Sequence, residues 1–272
     1  MPKYTNPKVP EGISSGHEHP LVDAAKSLTA VFAIILVVLF GSYVLARLAI
    51  PFIPFAWELK MTPGELNANE ALSAEALDRQ RYLQSLADKI AKASDLPDEM
   101  IITVHYLEDD TVNAFATLGG HVFVFEGIWK ILDTENAMSM LLAHEIAHIK
   151  NRDPIRSAGS GVLAAIASGV LVGTDGFLAS IFGGANLLTA MSFSRQQEMQ
   201  ADDDAASAVA SLYGHLNGTG SLFTALLAET KDKSRLPEFL ESHPDLQARI
   251  ERHALRGRKF SGKLEGETTP LP

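Results

Sequence analysis

Twenty residues, Ser27 to Ala46, run without a charge. As a helix they would be about 30 Å long, the thickness of a hydrocarbon core. Arg47 follows directly, and a cleavable signal peptide has a shorter apolar region. The pattern predicts one uncleaved transmembrane anchor over 27–50, after a polar segment 1–26 expected to be disordered. Pro51, Pro54 and Trp57 then form a proline-broken apolar patch, with Trp57 suited to a membrane interface. Residues 65–94 predict a helix in which Leu77, Tyr82, Leu83, Leu86, Ile90 and Ala91 approximate one apolar face. Ile101 to Tyr106 alternates as a strand. Asn113 to Ala116 and His121 to Phe125 predict two more around Gly119-Gly120, a strong turn signal. Such a hairpin could offer an exposed edge, with His121, Val122, Phe123 and Val124 as the strand on which an extended peptide pairs. A purely structural meander is the alternative.

Helical spacing returns in Asn136 to Asp153, where Ala137, Met140, Leu141, His144 and His148 share one face. Pro154 is expected to stop that helix. His144 and His148 stand one turn apart, so both imidazoles can reach one metal ion. Glu145 is rotated by about 100° from His144. It can therefore lie beside a metal, where a base must stand to take a proton from an attacking water. A core helix that happens to carry two histidines would bury unpaired imidazoles at a cost.

From Ser157 to Ser194 the single charge is Asp175. Its two halves are long enough to cross a bilayer, but their Gly, Ala and Ser content favours two packed or membrane-resting helices over a spanning hairpin. Catalytic zinc normally takes three protein ligands. The next dense polar stretch, Ser194 to Ala205, reads as a helix with Arg195, Glu198 and Asp202 on one side. Glu198 is the expected third ligand. Asp202, one turn on, could accept a hydrogen bond from a ligand histidine, with Arg195 beside it. Asp203 and Asp204 read as solvated charge.

Composition narrows the chemistry. The chain has 272 residues, a net charge of −10 and no cysteine. Disulfides, Cys-ligated zinc and thiol catalysis are excluded, and no basic stripe points to nucleic acid. Lys3, Lys8 and Lys26 precede the apolar run, whereas Arg47 and Lys60 follow it. That small bias favours a cytoplasmic N-terminus. In a bacterium it places a single-pass protein in the inner membrane with residues 58–272 in the periplasm.

Several motifs now stand in one order: Asn113-Ala114-Phe115-Ala116 with Gly119-Gly120; His144-Glu145-Ile146-Ala147-His148 with Arg152-Asp153; Ser194-Arg195-x-x-Glu198-x-x-Ala201-Asp202; and Ser242-His243-Pro244 with Arg249-Ile250. As a set, covering about 53–250, they resemble the membrane-associated zinc endopeptidases of the HtpX, CAAX prenyl endopeptidase and BepA type. The Ile53-Pro54-x-x-Trp57-Glu58 stretch looks like the lead-in of the smaller members. The single apolar run tilts the resemblance towards BepA-like single-domain members. Leu118 departs from the usual proline before Gly-Gly, which would loosen that turn. The resemblance implies an α+β, mainly α-helical fold: a gluzincin-type metalloprotease domain over 51–255, with a small β-sheet before the H-E-x-x-H helix and one transmembrane helix ahead of it. A polar tail, 256–272, is expected to be disordered.

The resemblance further implies one Zn2+ per chain on His144, His148 and Glu198. Glu145 would be the general base, and His243 and Arg249 would stabilise the oxyanion near the scissile carbonyl. The expected activity is hydrolysis of misfolded or envelope polypeptides. The rival expectation is a membrane-anchored chaperone or assembly factor with a shielded or structural zinc site.

Overall fold

A computed structural model describes residues 20–61, 72–157, 193–232, 238–259 and 266–272. The Gly/Ala-rich helices expected across 157–194 fall almost wholly outside the described residues. The chain divides into two units, 1–45 and 46–272. The first consists of the greater part of α1 (Pro20–Ala49), a helix that contains a stretch, Leu21–Val38, long and apolar enough to cross a membrane, none of it buried. The helix starts at Pro20, not Ser27, so the described end of the expected disordered segment is helical. Proline is tolerated in a first helical turn, because its missing N–H would have had no partner there.

The second unit is built around one small sheet and one buried helix. After a 3-10 turn (Ile50–Phe52) come α2 (Phe55–Met61) and α3 (Ala74–Ala93). Ser73 caps α3 by accepting from Ala76 N–H at 3.1 Å. Ala76, Leu83, Leu86, Ala87 and Ile90 make its buried stripe, whereas Leu77, expected on that face, is exposed. Then follow β1 (Thr103–Leu107), β2 (Ala114–Thr117) and β3 (His121–Phe125). β3 pairs parallel to β1 and antiparallel to β2, so the order is β1-β3-β2.

This order corrects the expected substrate edge. His121, Val122, Phe123 and Val124 lie in the middle of the sheet, with both sides of the strand occupied. β1 is covered on its outer side by α3. Gln84 Oε1 accepts from Val104 N–H at 2.8 Å, and Gln80 Oε1 from Tyr106 N–H at 3.0 Å. The remaining edge is β2, and no strand pairs with its outer side among the described residues. Phe125 N–H donates to Asn113 O at 3.1 Å. Antiparallel alternation then turns the N–H and C=O of Ala114 and Ala116 towards that edge. At the hairpin, Gly120 has φ +81°, and a Cβ there would stand 2.0 Å from the Ile101 carbonyl oxygen, so only glycine fits. Leu118 stands in that turn where proline is usual. It is buried against Ile50, Ile53 and Ile155.

One sheet face packs Val104, Tyr106, Ala114, Ala116, Val122 and Val124 into the main core. The other carries Phe115, Phe123 and Phe125 with Phe193. After α4 (Glu126–Ile131), α5 (Glu135–Lys150) runs through the core, buried from Asn136 to Ile149. It ends at the Asn151 cap and Arg152, which is left-handed at φ +58°. Pro154 does not supply the stop. It lies in the first turn of the next helical segment, over 153–157. α6 (Arg195–Tyr213) packs along α5. α7 (Gly220–Asp232), α8 (Glu238–Ser242) and α9 (Leu246–Lys259) follow. The expected disordered tail is helical to Lys259, and its last residues are docked. Thr134 bridges Pro270, and Glu135 N–H donates to Thr269 O at 2.7 Å. The tail thus satisfies an N–H that the first turn of α5 leaves without a helical partner.

Candidate active site

α5 holds His144 and His148 one turn apart, both buried, with their Nε2 atoms 3.1 Å from each other. Each ring is fixed from behind. Asp202 Oδ1 lies 2.9 Å from His144 Nδ1, and Asp153 Oδ2 lies 2.9 Å from His148 Nδ1. A carboxylate at Nδ1 accepts a hydrogen bond from Nδ1–H and leaves the Nε2 lone pair directed into the site. Phe193 stacks on the His148 ring at 3.9 Å.

Glu198 comes from the first turn of α6. Ser194 opens that helix with a capping box, in which Gln197 Oε1 accepts from Ser194 N–H at 2.9 Å. Gln197 Nε2 also donates to Asp153 Oδ1 at 2.8 Å, tying the start of α6 to the residue that holds His148. Glu198 is buried with Oε2 3.4 Å from His144 Nε2 and Oε1 3.4 Å from His148 Nε2.

The structure adds a fourth member. His243, in the turn between α8 and α9, places Nδ1 3.0 Å from Glu198 Oε1 and 3.2 Å from His144 Nε2. Ligand atoms of His144, His148, Glu198 and His243 all lie within 4.8 Å of one another. Neighbouring ligands on a tetrahedron with bonds of about 2.0–2.1 Å are about 3.3 Å apart. Three nitrogens and a carboxylate oxygen at these separations therefore fit a small four-coordinate cation. Local charge favours the same occupant. Burial would raise the Glu198 carboxyl, but His243, His144 and His148 hold it far below the ordinary carboxylate range. Burial would likewise raise Asp202, and Arg249 and His144 outweigh it. Burial would lower His148, yet Asp153 and Glu198 push it up to about 9.

Glu145 is fully buried beside this group, 3.6 Å from His243 Nε2, and neither of its oxygens makes a hydrogen bond among the described residues. A buried carboxylate without hydrogen bonds is costly, so its presence next to the ligand set points to chemistry.

Other expected residues take different places. Arg249 is buried, but its Nε and one amino group both donate to Asp202 at 2.8 Å, and the other lies 3.2 Å from Glu198 Oε2. Nε and Nη2 are thus committed to Asp202, whereas Nη1, near Glu198, makes no hydrogen bond among the described residues. His243 stands among the ligand atoms. Arg195 is corrected outright. Its side chain is 81% exposed and pairs with Asp245, away from the cluster. Sequence reasoning gave Asp153 no role, although it sits five residues past His148. Phe193 and Phe239, which stacks on His243 at 4.5 Å, left no local signal.

Removing the charge behind His148 is expected to loosen the metal. Asp153→Asn should weaken metal affinity by about 10-fold or more, read by competition with a chelator. Unchanged affinity would show that the Asp153 contact has no part in holding the metal.

The family model described as Peptidase family M48 matches residues 77–258. The chain is 30% identical over 175 residues to the mitochondrial metalloendopeptidase OMA1 of Schizosaccharomyces pombe, covering 62% of this chain and 50% of that protein. It is 28% identical over 160 residues to the beta-barrel assembly-enhancing protease of Escherichia coli K12, covering 53% and 32%. It is 36% identical over 115 residues to a protease HtpX homolog of Aquifex aeolicus, covering 39% and 34%. The chain thus spans half or less of the length of these relatives. The matched span runs from α3 into α9 and encloses every residue of the cluster, and the chain belongs to peptidase family M48.

Proposed function

We propose that this chain is a membrane-anchored, zinc-dependent endopeptidase that hydrolyses peptide bonds in misfolded or envelope proteins. The observation that carries the reading is Glu145, a buried carboxylate without hydrogen bonds beside four converging ligand atoms. A purely structural metal site has no use for it. Zinc, when bound, supplies a Lewis acid that polarises a peptide carbonyl and acidifies water. His144, His148 and Glu198 would hold it, with Asp153 and Asp202 orienting the two imidazoles. Glu145 takes the proton of the attacking water and passes it to the leaving amine. The N–H and C=O groups of Ala114 and Ala116 turn outward from the sheet, but both residues are fully buried, so a substrate main chain would pair there only once that edge is uncovered. The lysine bias before Ser27 supports an inner-membrane protein with its catalytic domain in the periplasm.

A second reading, a shielded site in a chaperone-like protein, draws on the fourth ligand. A catalytic zinc keeps one position for water, and here a fully buried fourth residue, His243, has its ligand atom within 4.8 Å of those of the other three. We reconcile the two by taking this arrangement as a resting state. His243→Ala is then expected to raise cleavage of unfolded casein severalfold with metal retained. A loss of cleavage with metal retained would favour an oxyanion role for His243. If neither wild type nor His243→Ala cleaves any client, yet both suppress client aggregation, the chaperone reading prevails.

A further inference from the structure

The segment Ile50–Met61 has two faces with different partners. Inward, Phe55 and Glu58 are buried. Glu58 Oε1 accepts from Arg152 Nε at 2.5 Å, and its Oε2 accepts from Gly119 N–H at 3.4 Å. Arg152 also donates to the Ile53 carbonyl at 3.0 Å and lies 5.7 Å over the Phe55 ring. Ile50 and Ile53 pack on Leu118 and Ile155. The segment is therefore clamped to the loop that ends α5 and to the β2–β3 turn. Arg152 holds a left-handed backbone that an arginine adopts at a cost, and these contacts offset it.

Outward, the same segment leaves Phe52 85% and Trp57 58% exposed, with Leu59 and Lys60 beside them. Two large aromatic side chains facing water on one short stretch are costly for a soluble surface. Phe52 follows the apolar run's last residue, Ala46, by six positions. Six residues of helix rise about 9 Å, comparable with the depth of a lipid headgroup layer. Chain connectivity thus keeps these rings near the bilayer surface whenever the run spans the membrane. Trp suits that layer, with an apolar body and a polar N–H.

We infer that Ile50–Met61 is a membrane foot: Phe52 and Trp57 seat in the lipid interface, and the Glu58 clamp makes the foot a rigid part of the catalytic domain. The bound partner is a lipid surface. One cation, Lys60, accompanies the aromatic pair, so apolar burial and not lipid charge drives the contact. This rests on the anchor reading above, and the test separates the two.

The full chain is reconstituted in phosphatidylcholine vesicles, with and without bromine on the upper acyl chains. Wild type is compared with Trp57→Phe, so the difference spectrum reports Trp57 while Trp129 stays untouched. The expected result is a blue-shifted Trp57 emission quenched at least twofold by brominated lipid. An unquenched, water-like Trp57 emission from protein that resists carbonate extraction overturns the foot and leaves the anchor standing. Protein stripped by carbonate overturns the anchor reading, and the foot with it.

Discussion

Glu145→Gln should cleave unfolded casein about 10²- to 10⁴-fold more slowly than wild type, the typical loss when a general base is removed. The drop should fall mainly on kcat, because glutamine keeps the shape of the side chain and leaves substrate pairing intact. Metal content should stay at wild-type level, since His144, His148, Glu198 and His243 supply the four converging ligand atoms without Glu145. The fold should hold or gain slightly, because a buried carboxylate without hydrogen bonds is replaced by a neutral amide. Elemental analysis beside the kinetics separates this outcome from a damaged site. Wild-type proteolysis in Glu145→Gln would sink the proposed mechanism.

The largest effect on stability is expected at Arg249, well away from any role as a base. Its guanidinium is buried, makes two hydrogen bonds to Asp202 and lies between the Phe223 and Phe239 rings. Arg249→Met removes the cation and leaves Asp202 as a buried charge whose remaining side-chain contact is His144 Nδ1 at 2.9 Å. Breaking one partner of a buried pair typically costs about 3–5 kcal/mol. Urea unfolding should show a loss of this size, and the double change Arg249→Met with Asp202→Asn should recover part of it. A neutral side chain at 202 no longer needs the cation but still hydrogen-bonds His144. A loss below about 1 kcal/mol would mean that Arg249 is a surface-like pair in energetic terms.

Much of the site was legible because helix geometry is local. His144, Glu145 and His148, and then Glu198 and Asp202, need only the 3.6-residue turn to define which side chains converge. His243 and Arg249 were found through motif resemblance, but their roles depend on where the turn between α8 and α9 meets α5 and α6. That contact spans about a hundred residues, and no spacing encodes it. The sheet shows the same limit. Gly119-Gly120 announces a hairpin, yet the parallel pairing of β1 with β3 is non-local, so β3 looked like an edge and is the centre. Arg195 shared a helical side with Glu198 and Asp202, but it lies at the exposed start of α6, where a long side chain reaches Asp245 more easily than the buried cluster. Polar composition in the tail suggested disorder. It could not reveal that main-chain bonds to the start of α5 would hold Thr269 and Pro270.

The two sides of the sheet are guarded unequally, and this sets how copies of the domain can associate through strands. Gln80 and Gln84 occupy the β1 side with side-chain amides, so an incoming strand finds its pairing groups taken. The β2 side is closed in another way: Ala114, Phe115, Ala116 and Thr117 are all buried, so a strand could pair there only after that covering moved. Growth into a continuous fibre needs two open sides, and the domain as it stands presents neither.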